Sequence, residues 1–252
     1  MSKNQPYVKQ TIENEVAYIE FFHPSHNSLP GNILAELAQT ITDAGNNDEI
    51  KVIVLKSGGD RTFCAGASFN ELIHINDEAT GKVFFSGFAN VINAMRTCPK
   101  FIIGRIQGKT VGGGVGLAAS TDYCMATKFA AIKLSELNIG IGPFVVGPAI
   151  ERKMGLSAMS QIAIDANTFY PAEWAKQKGL FTNVYESVEE LDEAVKKTAE
   201  HLCTYNTEAM KEMKKVFWKG TDDWDALLAE RAQISGRLVL SDFTKEKLKG
   251  FK

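Results

Sequence analysis

The chain has 252 residues, a formal charge of −2 from 28 basic and 30 acidic side chains, and 44% hydrophobic content, which suits one large domain with a sizeable core and excludes a disordered chain. There is no basic block for nucleic acid, no apolar run of about 18 residues for a membrane span, and no hydrophobic secretory core in MSKNQPYVKQ. The expectation is a cytoplasmic protein with a small-molecule ligand, and Cys64, Cys98, Cys124 and Cys203 show neither metal-ligand spacing nor a disulfide framework.

Tyr7 to Glu13 and Val16 to Phe22 are β-rich runs separated by Asn14-Glu15, which predicts an antiparallel hairpin. Pro24 to Pro30 is turn-forming and precedes apolar residues at 33, 34, 37, 38 and 41, a helical stripe expected to end at Gly45. Val52 to Leu55 reads as a strand covered on both faces. Phe63-Cys-Ala-Gly-Ala-Ser68 follows, small residues that expose backbone N–H groups before a short helical pattern from Phe69 to Ile75. Glu78 to Arg96 predicts a long helix with Phe84, Phe85, Phe88, Val91, Ile92 and Met95 on one face, the pattern of a core stripe.

Ile102 to Ile106 reads as a buried strand, and Gly112, Gly113 and Gly114 then strip a turn of side chains ahead of Val115 to Ala119, which are small and helix-compatible. The first N–H groups of a helix lack intrahelical partners, so a phosphate, a carboxylate or a thioester oxyanion can approach this turn closely; tight helix-on-sheet packing would use the same glycines. Gly104-x-x-x-Gly108-Lys109-Thr110 is one residue short of a P-loop. Gly114-x-Gly116-x-x-Ala119 meets a loose dinucleotide fingerprint with Glu136 at ribose distance. The next strand, Asp122 to Thr127, follows too soon for a crossover of roughly a dozen residues, which argues against that reading. Ligands of open α/β sheets sit beyond the carboxyl ends of strands, so the turns at 63–68 and 112–114 are expected to face one crevice.

Glu136 closes the segment Ala131 to Leu137 and precedes the apolar loop Asn138 to Pro143. Such surroundings raise a carboxyl pKa toward the range useful for proton transfer; a solvated glutamate at a turn is the alternative. Beyond it the pattern is helical: Phe144 to Met154, Ser157 to Asp165, Pro171 to Lys178 stopped by Gly179, a short strand at Phe181 to Val184, then Ser187 to Cys203, Asn206 to Lys219, Asp222 to Leu240 and Asp242 to Phe251. Trp218 and Trp224 suit either a subunit interface or the interior.

Taken together, Phe63-Cys-Ala-Gly-Ala67, the Gly108 to Leu117 glycine helix, Asp122, Ser135-Glu136 before Leu137-Asn-Ile-Gly-Ile-Gly-Pro143, and Pro171 to Leu180 resemble the enoyl-CoA hydratase/isomerase, or crotonase, family over nearly the whole chain. In place of an open α/β sheet, the resemblance implies an α/β spiral of ββα turns forming two near-perpendicular sheets. It divides the chain into an acyl-CoA-binding core at 1–185 and a helical trimerisation region at 186–252, and implies a homotrimer or hexamer. By carry-over, the Ala67 and Gly113 N–H groups form an oxyanion hole for the thioester of an acyl-CoA, Glu136 is the acid/base, and no cofactor is needed beyond the CoA of the substrate. Substrate contacts are expected at Ala65, Gly66, Ser68, Leu72, Ile73, His74, Phe84, Phe88, Gly112, Gly116, Pro143, Phe144 and Phe251. His74 is the next acid/base candidate after Glu136.

The chain departs from the family pattern at Gly116, where typical hydratases carry a first glutamate, and at Ser68, where an aspartate is usual. A single carboxylate suits a double-bond isomerase. Gly112 to Leu117, Leu134 to Pro143 and Val146-x-Pro148 nevertheless look like bacterial methylglutaconyl-CoA hydratases of leucine breakdown, which share the missing glutamate. The expected activity is therefore hydration of a 2-enoyl-CoA, with 3-methylglutaconyl-CoA as one substrate, and isomerisation is the alternative.

Overall fold

The computed structural model describes residues 5–249. A hairpin of β1 (Tyr7–Glu13) and β2 (Val16–Phe22) leads through β3 (Ser28–Leu29) into α1 (Gly31–Asn46). Asn14 and Glu15 both take positive φ, the backbone that lets a two-residue turn follow the strand twist. Three similar units follow. The first is β4 (Val52–Ser57), β5 (Thr62–Cys64) and β6 (Gly66–Ala67) with α2 (Phe69–Leu72) and α3 (Glu78–Thr97). The second is β7 (Phe101–Ile106) and β8 (Lys109–Val111) with α4 (Gly113–Ala119). The third is β9 (Tyr123–Thr127) and β10 (Ala131–Lys133), a 3-10 turn at Glu136–Ile139, and α5 (Gly147–Ile164). Then come β11 (Tyr170–Pro171), α6 (Ala172–Gln177), β12 (Asn183–Tyr185), α7 (Val188–Cys203), α8 (Thr207–Phe217), α9 (Trp224–Leu238) and α10 (Asp242–Lys249).

Each unit gives its first strand to a six-stranded sheet, β1-β2-β4-β7-β9-β12, and its second to a four-stranded sheet, β11-β10-β8-β5, before a helix returns the chain. The alternation of side chains in β4 explains its uninterrupted apolar run. Ile53 and Leu55 enter the main core with α1 and α3, whereas Val52 and Val54 join Val16, Ile103 and Met125 under Leu191, Val195 and Ala199 of α7. The sheet is thus covered on both faces.

Two helix boundaries differ from expectation. Gly45 does not stop α1, which continues to Asn46; a methyl group there would meet Cys98 Sγ at 3.2 Å, so this glycine serves close packing. The helices expected at 144–154 and 157–165 are one run, α5, broken at Gly155 with φ +79°, and residues 144–146 precede it. No helix among the described residues is long and apolar enough to cross a membrane.

The C-terminal helices are tied to the sheet by a buried ion pair. Lys214 Nζ of α8 lies 2.7 Å from Asp122 Oδ2, with both side chains almost fully enclosed, and it also donates to the Lys100 carbonyl. Asp122 accepts further bonds from Ile102 N and Trp218 Nε1. Trp218 packs edge-on against Trp224 inside the main core, which places both tryptophans in the interior of the chain. Removing one member of such a pair strands the other charge out of water. Lys214→Ala is therefore expected to cost about 3–5 kcal/mol in urea unfolding. Lys215→Ala, which breaks only the exposed pair with Glu212, should leave the midpoint where it is.

Candidate active site

β5, β8 and β10 are neighbours and run parallel, so their carboxyl ends deliver three segments side by side: 65–67, 111–113 and 135–136. In the first, Gly66 turns the chain at φ +89°. The turn before α1 then holds the segment in place: Ala65 N donates to Asn27 O, Ser28 Oγ to Ala67 O and Ser68 N to Leu29 O. Asn27 itself is buried and bridges the Gly58 and Thr62 carbonyls.

In the second segment Gly112 N donates to Lys133 O, and Gly112 takes φ +53°, ψ −116°, a conformation side chains resist. Gly113 opens α4, so its N–H has no intrahelical acceptor. A methyl group on Gly66 would lie 3.7 Å from Gly113 N, which measures how closely the first two segments approach.

The third segment supplies the carboxylate. As a residue Glu136 is only half-buried, but its Oε2 is out of solvent and has no hydrogen-bond partner. The carboxylate lies against Gly112, where any Cβ would sit 2.9 Å from Oε1. Burial pushes the Glu136 pKa up from 4.5 to about 7, opposed by backbone N–H groups of Glu136 and Ser135. Its 3-10 turn ends at Gly140, φ +82°, where α10 packs Phe243 and Thr244 against the backbone.

These segments wall a cavity of about 170 Å³. Of the residues expected from sequence, Ala65, Gly66, Ala67, Leu72, Phe84, Phe88, Gly112, Gly113, Glu136, Pro143 and Phe144 line it. Four do not. Ser68 caps α2 by accepting from Glu71 N; Ile73 packs in the small cluster with Leu72, Val239 and Leu248. His74 is exposed and its ring bonds the Asn70 carbonyl on its own turn. Gly116 is buried behind Val146. Phe251 lies outside the described residues.

The lining also includes Phe69, Phe85, Val111, Ser135, Ile139, Ile141, Gly142, Val145, Val146 and Ser235, none of which the sequence marked as a substrate contact. Ser235 arrives because α3 and α9 cross in backbone contact, a methyl group on Gly81 falling 2.7 Å from Gly236 Cα. The small pair Ser235-Gly236 was the available signal. Among the described residues Glu136 is the only ionisable side chain that lines the cavity, and they hold no group of three or more His, Cys, Asp or Glu able to bind a metal.

Residues 11–251 match the family model for enoyl-CoA hydratase/isomerase. The short-chain-enoyl-CoA hydratase of Clostridium acetobutylicum is 26% identical over 242 residues, 95% of this chain and 92% of that protein. The peroxisomal Delta(3,5)-Delta(2,4)-dienoyl-CoA isomerase of Arabidopsis thaliana is 28% identical over 214 residues, 79% of this chain and 75% of that one. The mitochondrial methylglutaconyl-CoA hydratase of Mus musculus is 30% identical over 172 residues, 68% of this chain and 54% of that one. The solved enoyl-CoA hydratase of Bacillus halodurans superposes with a TM-score of 0.89 at 21% identity, covering 97% of this chain and 99% of that chain, a likeness of fold alone. The repeated ββα units are thus those of the crotonase fold, and the chain belongs to the enoyl-CoA hydratase/isomerase family.

Proposed function

We propose that the protein adds water to a 2-enoyl-CoA through a thioester enolate, with Glu136 as its one acid/base. The Ala67 and Gly113 N–H groups hold the thioester oxygen. Water attacks Cβ, its proton passes to Glu136, and the C=C electrons move onto that oxygen; Glu136 then returns the proton to Cα, leaving a 3-hydroxyacyl-CoA. Each N–H aimed at the developing charge in a dry site is worth roughly 3–4 kcal/mol. The observation that carries this reading is the Glu136 carboxylate itself: out of water, unpartnered at Oε2, and sharing one cavity with both proposed donors.

A second reading is favoured by the absence of any other ionisable side chain in the lining among the described residues. Moving a double bond needs only one carboxylate: Glu136 takes the α-proton of a 3-enoyl-CoA and returns it at Cγ. Both reactions share the enolate, so the product distinguishes them. Crotonyl-CoA gaining the mass of one water supports hydration; conversion of 3-enoyl- to 2-enoyl-CoA at constant mass, with no hydration, would replace it.

The family resemblance implies a homotrimer or hexamer. Met213, Val216 and Phe217 leave α8 with exposed apolar surface for such an assembly, although Trp218 and Leu228 are spent inside the chain. Light scattering is expected to give a mass well above 27.6 kDa, and a monomer mass would overturn the assembly.

Glu136→Gln keeps shape and loses the transferable proton, so kcat should fall by roughly 10²–10⁴ with little change in acyl-CoA affinity. Hydration that survives the change intact would exclude Glu136 as the acid/base.

The pH dependence has opposite signs for rate and stability. The base must be ionised, so kcat/KM rises as pH passes through about 7 and levels above it. Folding favours the neutral acid: the unfolded chain ionises near 4.5, so this residue's contribution to stability is full below that pH and is lost as pH rises to about 7. Glu136→Gln should therefore gain on the native protein by roughly 3 kcal/mol between those limits, as read by urea unfolding at several pH values.

A further inference from the structure

We infer that Val146, seated on Gly116, sets the size of the acyl chain, and that the cavity takes a short, uncharged acyl group. The inference rests on the acyl-CoA reading above and deepens it. Gly116 follows Gly113 by three residues on α4, so the two share a face of that helix. Val146 occupies the space in front of it: a methyl group on Gly116 would lie 2.5 Å from Val146 Cγ1, 2.7 Å from its Cβ and 3.5 Å from Ile92 Cδ1. The other side of Val146 lines the cavity.

Val146 is thus a wall one side chain thick between the acyl space and the α4 backbone. It is also a stiff wall, because a β-branched side chain at the start of α5 has little freedom in χ1. With it in place the cavity measures about 170 Å³. A protein cavity of roughly 150 Å³ accepts a benzene-sized molecule, so the space suits an acyl group of about four to six carbons.

The wall chemistry adds the second restriction. Phe84, Phe88, Ile139, Ile141 and Val146 are hydrocarbon, and no Lys, Arg or His lines the cavity among the described residues. The one charge that the described residues bring to the cavity is Glu136, of the wrong sign for a second carboxylate. A chain ending in a carboxylate, as in 3-methylglutaconyl-CoA, would have to bury that charge unpaired beside it.

The test measures kcat/KM for crotonyl-, 2-octenoyl- and 3-methylglutaconyl-CoA with the native protein, Val146→Ala, Gly116→Ala and the double variant Gly116→Ala/Val146→Gly. The native protein should prefer crotonyl-CoA to both others. Val146→Ala should raise the octenoyl-to-crotonyl ratio by roughly ten-fold, since each methylene that a pocket newly admits is worth about that much. Gly116→Ala should drive Val146 into the cavity, lower turnover of crotonyl-CoA and reduce the melting temperature; the double variant, which moves the wall from one chain segment to the other, should recover both. An unchanged ratio in Val146→Ala, or no recovery of melting temperature in the double variant, overturns the role of Val146. Native turnover of 3-methylglutaconyl-CoA equal to that of crotonyl-CoA overturns the uncharged class.

Failure of the underlying reading has a separate signature: no turnover of any thioester, and no Glu136-dependent deuterium wash-in at the α-carbon of butyryl-CoA in D2O by mass spectrometry. That result overturns the inference together with the acyl-CoA activity.

Discussion

The constraint on which the site depends is the separation of neighbouring strands. Hydrogen-bonded strands lie about 4.8 Å apart, so β5, β8 and β10 release three segments with almost no room between their backbones. Glycine is the physical answer. A side chain at Gly112 would collide with the Glu136 carboxylate, and one at Gly113 would reach Phe88 at 2.4 Å. The naked backbone first read at 112–114 as a helix N-terminus is a consequence of this crowding. Once the side chains are gone, N–H groups from different units can border the same small volume without a polar side chain.

The same crowding accounts for the state of Glu136. It opens the 3-10 turn that follows the third of the parallel strands, and Gly112 gives its carboxylate a backbone neighbour in place of water. Burial then raises its pKa toward neutrality. The fold pays a stability cost to keep a carboxylate there, and the resulting pKa is the one the proposed chemistry requires, because a base of pKa near the working pH can both take and return a proton. The buried Asp122–Lys214 pair is handled differently: the carboxylate is matched with a cation and three further hydrogen bonds in the same network.

Much of this was legible in the sequence, for reasons that differ between elements. The hairpin at residues 7–22 was readable because alternation and the Asn14-Glu15 turn act within a few residues. The long helices were readable from their stripes, and caps such as Ser187 and Asn206 mark their starts. The strands that build the site were not. β5, β6, β8 and β10 have two or three residues each, too few for any periodicity, and they exist because a parallel neighbour is present. Glu136, Ala67 and Gly113 could be singled out by residue type and by resemblance, whereas Ser235 and Val146 reach the cavity only through packing between segments far apart in the chain. His74 failed for the complementary reason: residue type suggested chemistry, but the turn after α2 directs its ring back to its own backbone.

A division of labour between the units follows. The first and second units supply the proposed backbone donors and the third supplies the titratable group, so each component leaves the same sheet from a different strand. Backbone positions are fixed by the sheet register and tolerate change in the surrounding side chains. The walls come instead from α3, from α9 and from the segment ahead of α5, none of which is part of the sheet. On the proposed reading, an oxyanion pocket and a carboxylate held by the sheet keep one enolate chemistry while the wall residues select the acyl group. Val146 stands at the boundary between these two sets, touching an α4 glycine on one side and the acyl space on the other, which is where a single substitution can alter selection without moving the carboxylate or the donors.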